Sequence, residues 1–135
     1  MTTFLLDANV LIALTVAEHE HHGRASTWMA DVEEFAVCPV VEGALVRFLV
    51  RLGESAATAR AVLRAVHSRA GCAFWPDSVS YVDARLQHVH GHRQVTDTYL
   101  VSLVAAHPGA RLATFDRALA AAHPDVAVLV PPLGG

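Results

Sequence analysis

Four carboxylates in this chain sit where chemistry could be done: Asp7, Glu42, Asp97 and Asp116. Two of them are out of place for surface acids. Glu42 has Leu45, Val46 and Leu49 at i+3, i+4 and i+7, and Asp97 has Leu100, Val101 and Val104, so each acid rides on an apolar helical face. A carboxylate there is costly without a partner. The chain has no lysine, and none of its ten arginines falls on those stripes. Hard divalent cations such as Mg²⁺ or Mn²⁺ take oxygen ligands and would relieve the repulsion among crowded acids. Zinc would want His or Cys, which these four positions lack. Ions held by carboxylates often serve phosphate chemistry, where they activate water and stabilise a leaving oxygen. Taken singly, Asp7 and Asp116 also read as turn formers or helix caps.

The elements that must position these acids follow from the apolar pattern. Short apolar runs at Phe4–Leu6, Phe35–Cys38, Cys72–Trp75, Arg111–Thr114 and Val126–Val130 read as buried strands. Helical spacing predicts helices over Val10–Val16, Arg24–Glu34, Val40–Leu52, Ala56–Ser68 and Asp97–Ala106, and a short one over Asp116–Ala122. Pro39 suits a helical first turn, Ser55 and Thr96 are candidate caps, and a further helix is expected from Asp77 or Ser78 to about His90. Short strands separated by helices imply an α/β fold with a central parallel sheet of about five short strands, covered on both faces as a three-layer α/β/α sandwich. In such folds ligands gather outside the carboxyl ends of the strands. Asp7, Glu42, Asp97 and Asp116 are all expected at that edge.

At 135 residues, the chain fits one domain over 1–135. With 53% hydrophobic and 17% charged residues it should bury a core. No apolar run is long enough to cross a bilayer, the first residues lack a basic leader, and Cys38 and Cys72 read as reduced thiols, so no membrane association and a cytoplasmic location are expected. The formal charge is −3, which alone would argue against nucleic acid. Outside the four acids, however, nine carboxylates face ten arginines, leaving a slightly basic remainder able to contact phosphates.

The segments Leu5-Leu6-Asp7-Ala8-Asn9-Val10-Leu11, Cys38-Pro39 with Glu42, Thr96-Asp97-Thr98-Tyr99-Leu100 and Thr114-Phe115-Asp116, in this order and spacing, resemble the PIN-domain ribonucleases, specifically the VapC toxins of bacterial toxin–antitoxin pairs. The resemblance spans nearly the whole chain. It implies a Mg²⁺- or Mn²⁺-dependent endoribonuclease, a homodimer, and inhibition by a cognate VapB-type antitoxin. By position it assigns metal binding to Asp7, Glu42, Asp97 and Asp116, and a supporting role to Asn9 and Thr114. Read from the sequence alone, Asn9 serves equally as a helix cap and Thr114 as an ordinary strand residue.

The competing readings are weaker. A phosphatase or receiver domain also carries an Asp after its first strand, but needs a late lysine. A dinucleotide fold needs a Gly-rich first turn, absent here. A catalytically silent PIN-like module that binds RNA or a partner remains the non-enzymatic alternative. His88, His90 and His92 read as a polar helix end, since residues two apart on a helix do not face each other, and His19, His21 and His22 as a loop. Trp28, Phe48, Phe74 and Trp75 read as core.

Overall fold

The computed structural model describes residues 1–134. Its five strands are β1 (Thr3–Leu6), β2 (Glu34–Val37), β3 (Cys72–Phe74), β4 (Arg111–Thr114) and β5 (Ala127–Leu129), and its helices α1 (Ala8–Thr15), α2 (His22–Met29), α3 (Pro39–Arg51), α4 (Ala56–His67), α5 (Val95–Ala105) and α6 (Arg117–Ala122). All strand pairs are parallel, in the order β3-β2-β1-β4-β5, with Phe4 opposite Phe35 on one side and Arg111 on the other. The chain therefore moves outward from β1 to β3, then jumps back across the sheet to β4. Right-handed crossovers put α1, α3 and α4 on one face and, after the reversal, α5 and α6 on the other. This is the α/β architecture that the strand and helix pattern implies.

The strands are short but wholly buried at the centre: Leu5, Leu6, Ala36, Val37, Leu112 and Ala113 have no exposed surface. α5 is buried from Thr98 to Val104, which explains why its sequence is apolar nearly all round. Sheet covers one side of it, and the segment before it covers another, where Tyr81 packs on Tyr99 with ring centroids 4.8 Å apart and the Arg85 N–H donates to Ser102 Oγ at 2.9 Å. Gly71 enters β3 with φ of 81°, a left-handed conformation, and a Cβ there would lie 1.9 Å from the Glu33 carbonyl oxygen, so only glycine fits. Cys38 and Cys72 are free thiols, and burial pushes Cys38 up to about 11. No helix among the described residues is long and apolar enough to cross a membrane.

Three expectations need correction. The helix expected up to His90 does not form; two 3₁₀ turns, Tyr81–Asp83 and Leu86–His88, take its place, and a third, His92–Gln94, follows. The Ser80 hydroxyl accepts the Val82 N–H and so competes with helical bonding, and Val82, 91% exposed, shows that the apolar residues here share no buried face. Thr96 is not a cap, because the last of these turns runs directly into α5 at Val95. Finally, α2 starts at His22, inside the expected loop, and stops at Met29, leaving Glu34 to open β2.

Candidate active site

The reversal in strand order falls between β1 and β4, where two crossovers leave in opposite directions and the carboxyl ends of the strands face an open crevice. Asp7 stands at this point. It caps α1, its own N–H donating to the Ala113 carbonyl at 3.0 Å, while Oδ1 accepts from the Ala8 N–H at 2.8 Å. Its Oδ2 accepts from the buried Thr114 hydroxyl, also at 2.8 Å, across a separation of 107 residues. Thr114 Oγ1 in turn accepts the Asp116 N–H at 3.0 Å, and Asp116 Oδ1 caps α6 by accepting the Leu119 N–H at 3.0 Å. One threonine thus ties two of the acids together.

Asp97 enters from the first turn of α5. Burial, with the charges of Asp7 and Asp116 beside it, pushes its carboxyl up to about 6. Asp7 is only 6% exposed, and its carboxyl is also raised, by burial first, against the opposing pull of the Thr114 and Ala8 hydrogen bonds and with a smaller push from Asp116. Among the described residues no arginine pairs with any of the three; the arginine–carboxylate bridge present joins Arg85 to Asp125. Three acids that crowd one another without a counter-charge are an electrostatic deficit that a divalent cation would relieve. The donor set, all carboxylate oxygen, fits Mg²⁺ or Mn²⁺. Among the described residues no three His, Cys, Asp or Glu side chains close on a single point.

Glu42 lies at the same rim, in the first turn of α3 after β2, but faces elsewhere. Its Oε2 is 2.5 Å from His67 Nε2 at the end of α4, and its charge is felt by Cys72 and Asp77 rather than by Asp7 or Asp97. Asn9 is exposed in the first turn of α1 and is not drawn into the hydrogen bonds around Asp7. The structure therefore brings Asp7, Asp97, Asp116 and Thr114 together and leaves Glu42 paired with His67.

The PIN domain family pattern matches residues 4–123. The chain belongs to the PIN-domain family. Within it, this PIN domain belongs with the VapC proteins: it is 56% identical over 130 residues to ribonuclease VapC29 of Mycobacterium tuberculosis, an alignment covering 96% of this chain and 97% of the relative. Ribonuclease VapC39 of the same organism is 40% identical, over 87% of this chain and 91% of that one. Among solved structures, Mycobacterium tuberculosis VapC20, a sarcin-ricin loop cleaving toxin, superposes with a TM-score of 0.67 at 16% identity, covering 88% of this chain and 94% of its own. Rickettsia felis VapBC2 bound to a promoter DNA fragment gives 0.65 at 14% identity, covering 96% and 100%. These two share the fold.

Three side chains around this PIN-domain site escape a sequence reading. His67 is 25 residues from Glu42, and nothing in the spacing announces the pair. His123 is buried at the end of α6 and lines the same cleft as Asp97 and Asp116, as do His88 and Gln94. Phe115, between Thr114 and Asp116, carries the Arg24 guanidinium 4.6 Å from its ring centroid, and Arg24 also donates to the Val130 carbonyl.

Proposed function

We propose that this VapC-family PIN domain is a divalent-metal-dependent endoribonuclease, acting as a homodimer and restrained by a VapB-type antitoxin. The observation that carries the reading is the convergence of Asp7, Asp97 and Asp116, from three separate elements, on the β1–β4 crevice without a cationic partner among the described residues. The relatives' name, ribonuclease VapC, and the VapB partner in the Rickettsia felis assembly support the substrate and partner.

Asp7 and Asp97 would hold the ion directly, with Asp116 and Glu42 completing its surroundings; for that, Glu42 would leave His67. The bound ion supplies charge to neutralise phosphate and to activate water. Thr114 holds Asp7 Oδ2 in place, and burial raises the carboxyls of both Asp7 and Asp97, so cation and protons would compete for the same oxygens. Water attacks phosphorus in line, the bond to the 3′ oxygen breaks, and the fragments carry a 3′ hydroxyl and a 5′ phosphate. No side chain bonds to phosphorus.

The test is cleavage of single-stranded and structured RNA with Mg²⁺ or Mn²⁺, with and without EDTA. Cleavage that EDTA stops is expected. Cleavage indifferent to EDTA would refute the metal chemistry, and RNA binding without cleavage under either metal would favour the silent module.

A further inference from the structure

The cleft beside Asp97 and Asp116 has a wall that hydrolysis leaves unused, built from Gln94, His88 and His123. His123 is 3% exposed, and burial, then the neighbouring His88 and Arg85, lowers its tendency to take a proton. A neutral imidazole presents one N–H donor and one acceptor. His88 meets it edge to face, with centroids 4.7 Å apart and planes at 79°, and is itself exposed. Gln94 Oε1 accepts the backbone N–H groups of both His90 and Gly91. Two backbone donors fix which end of the amide faces the loop, because only the carbonyl can accept. What Gln94 has left is an NH₂ group, a donor with no acceptor capacity.

We propose that this wall is the pocket for the nucleobase flanking the scissile phosphate and that it favours a keto base, uracil or guanine, over adenine or cytosine. The inference rests on the ribonuclease reading, since the phosphate must sit at the acids that border the same cleft. The cleft holds about 90 Å³, space for several waters, so it admits the edge of a base rather than a whole nucleotide. Uracil and guanine present carbonyl oxygen where cytosine and adenine present an amino group. Gln94 is exposed in the free protein, and a base edge seated on it would cover its NH₂, so an amino group placed there leaves two donors unpaired where a carbonyl leaves none. His88 offers a ring for stacking, which accepts any base. Stacking then supplies affinity and Gln94 supplies choice.

The experiment compares the wild type with Gln94→Glu and His88→Ala. A carboxylate at position 94 still accepts both backbone N–H groups, so the loop keeps its shape while the donors are lost. With Mg²⁺, RNAs randomised around the cut are cleaved and their 5′ ends sequenced. The wild type should favour U or G at one flanking nucleotide, Gln94→Glu should lose about three- to tenfold of that preference, the value of one neutral hydrogen bond, and His88→Ala should lower kcat/KM by about tenfold with the preference kept. In a second arm without metal, fluorescence anisotropy should find oligouridylate bound more tightly than oligocytidylate by the wild type and equally by Gln94→Glu. An unchanged preference in Gln94→Glu, or none in the wild type, overturns the pocket while the nuclease stands. Absence of any cleavage by the wild type ends the nuclease reading instead, and the binding arm still judges the pocket.

Discussion

Both oxygens of Asp7 are engaged, one by a backbone N–H and one by the Thr114 hydroxyl, so its charge is held rather than free. Asp7→Asn should abolish metal-dependent cleavage and leave circular dichroism unchanged; full residual activity would remove Asp7 from the mechanism. Thr114→Val keeps the shape of the side chain but leaves Asp7 Oδ2 bare in a buried setting, which should cost about 1–3 kcal/mol in urea unfolding at neutral pH and weaken metal binding. Asp97 and Asp7, both raised by burial, set the pH behaviour, and for Asp97 the window can be named. Its carboxyl stands at about 6 in the folded protein against an ordinary 3.8, so between those pH values the folded state binds more protons than the unfolded one. Metal-free stability should therefore fall as pH rises from about 4 through about 6, with the raised carboxyl of Asp7 adding to the fall. Added Mg²⁺ should raise Tm well above that window and hardly at all below it, since protons and cation compete for the same oxygens. Thermal melts at the two extremes with and without Mg²⁺ decide this. Asp97 was legible in sequence because a carboxylate riding an apolar helix face is costly, whereas Asp7 and Asp116 were legible only through the sheet edge they share with it, since each alone reads as a turn former or cap. His67 and His123 were not, because a contact made through the fold leaves no periodic mark.

At the scale of elements, Asp116 has two jobs that can be separated. It caps α6, a helix of only six residues, and contributes charge to the crevice. Asp116→Asn retains an oxygen for the Leu119 N–H, whereas Asp116→Ala loses it. Both should impair cleavage, but the alanine variant alone should lose about 1 kcal/mol of stability, the usual worth of a cap. Gly71→Ala should fail to accumulate as folded protein, since its methyl would sit inside the Glu33 carbonyl contact; soluble expression with a wild-type melting temperature would disprove the strain. Strands and amphipathic helices could be read from spacing because each buries one face or both. The stretch from Ser78 to Gln94 could not. Its conformation comes from docking on α5 through Tyr81 and Arg85 and from a local hydroxyl bond, and neither follows a period. Val79, Val82, Leu86 and Val89 fall at helical spacing, yet Val82 and Leu86 are exposed, so no buried face holds a helix there, and the valines are stiff at χ1.

Across the whole molecule, the sheet order decides where the acids meet. β1 lies at the centre, and the return from β3 to β4 brings Thr114 and Asp116 back beside Asp7. The order β3-β2-β1-β4-β5 makes this pairing the longest loop closure in the sheet, and such contacts are slow to form because the chain between them must be ordered first. A polypeptide emerging from the ribosome can lay down β1, β2 and β3 without possessing the crevice at all. The hydroxyl that steadies Asp7, and the last carboxylate, are contributed only when the final fifth of the chain is made. On the ribonuclease reading proposed above, a chain built in this order would gain its cutting site only when its synthesis has almost finished.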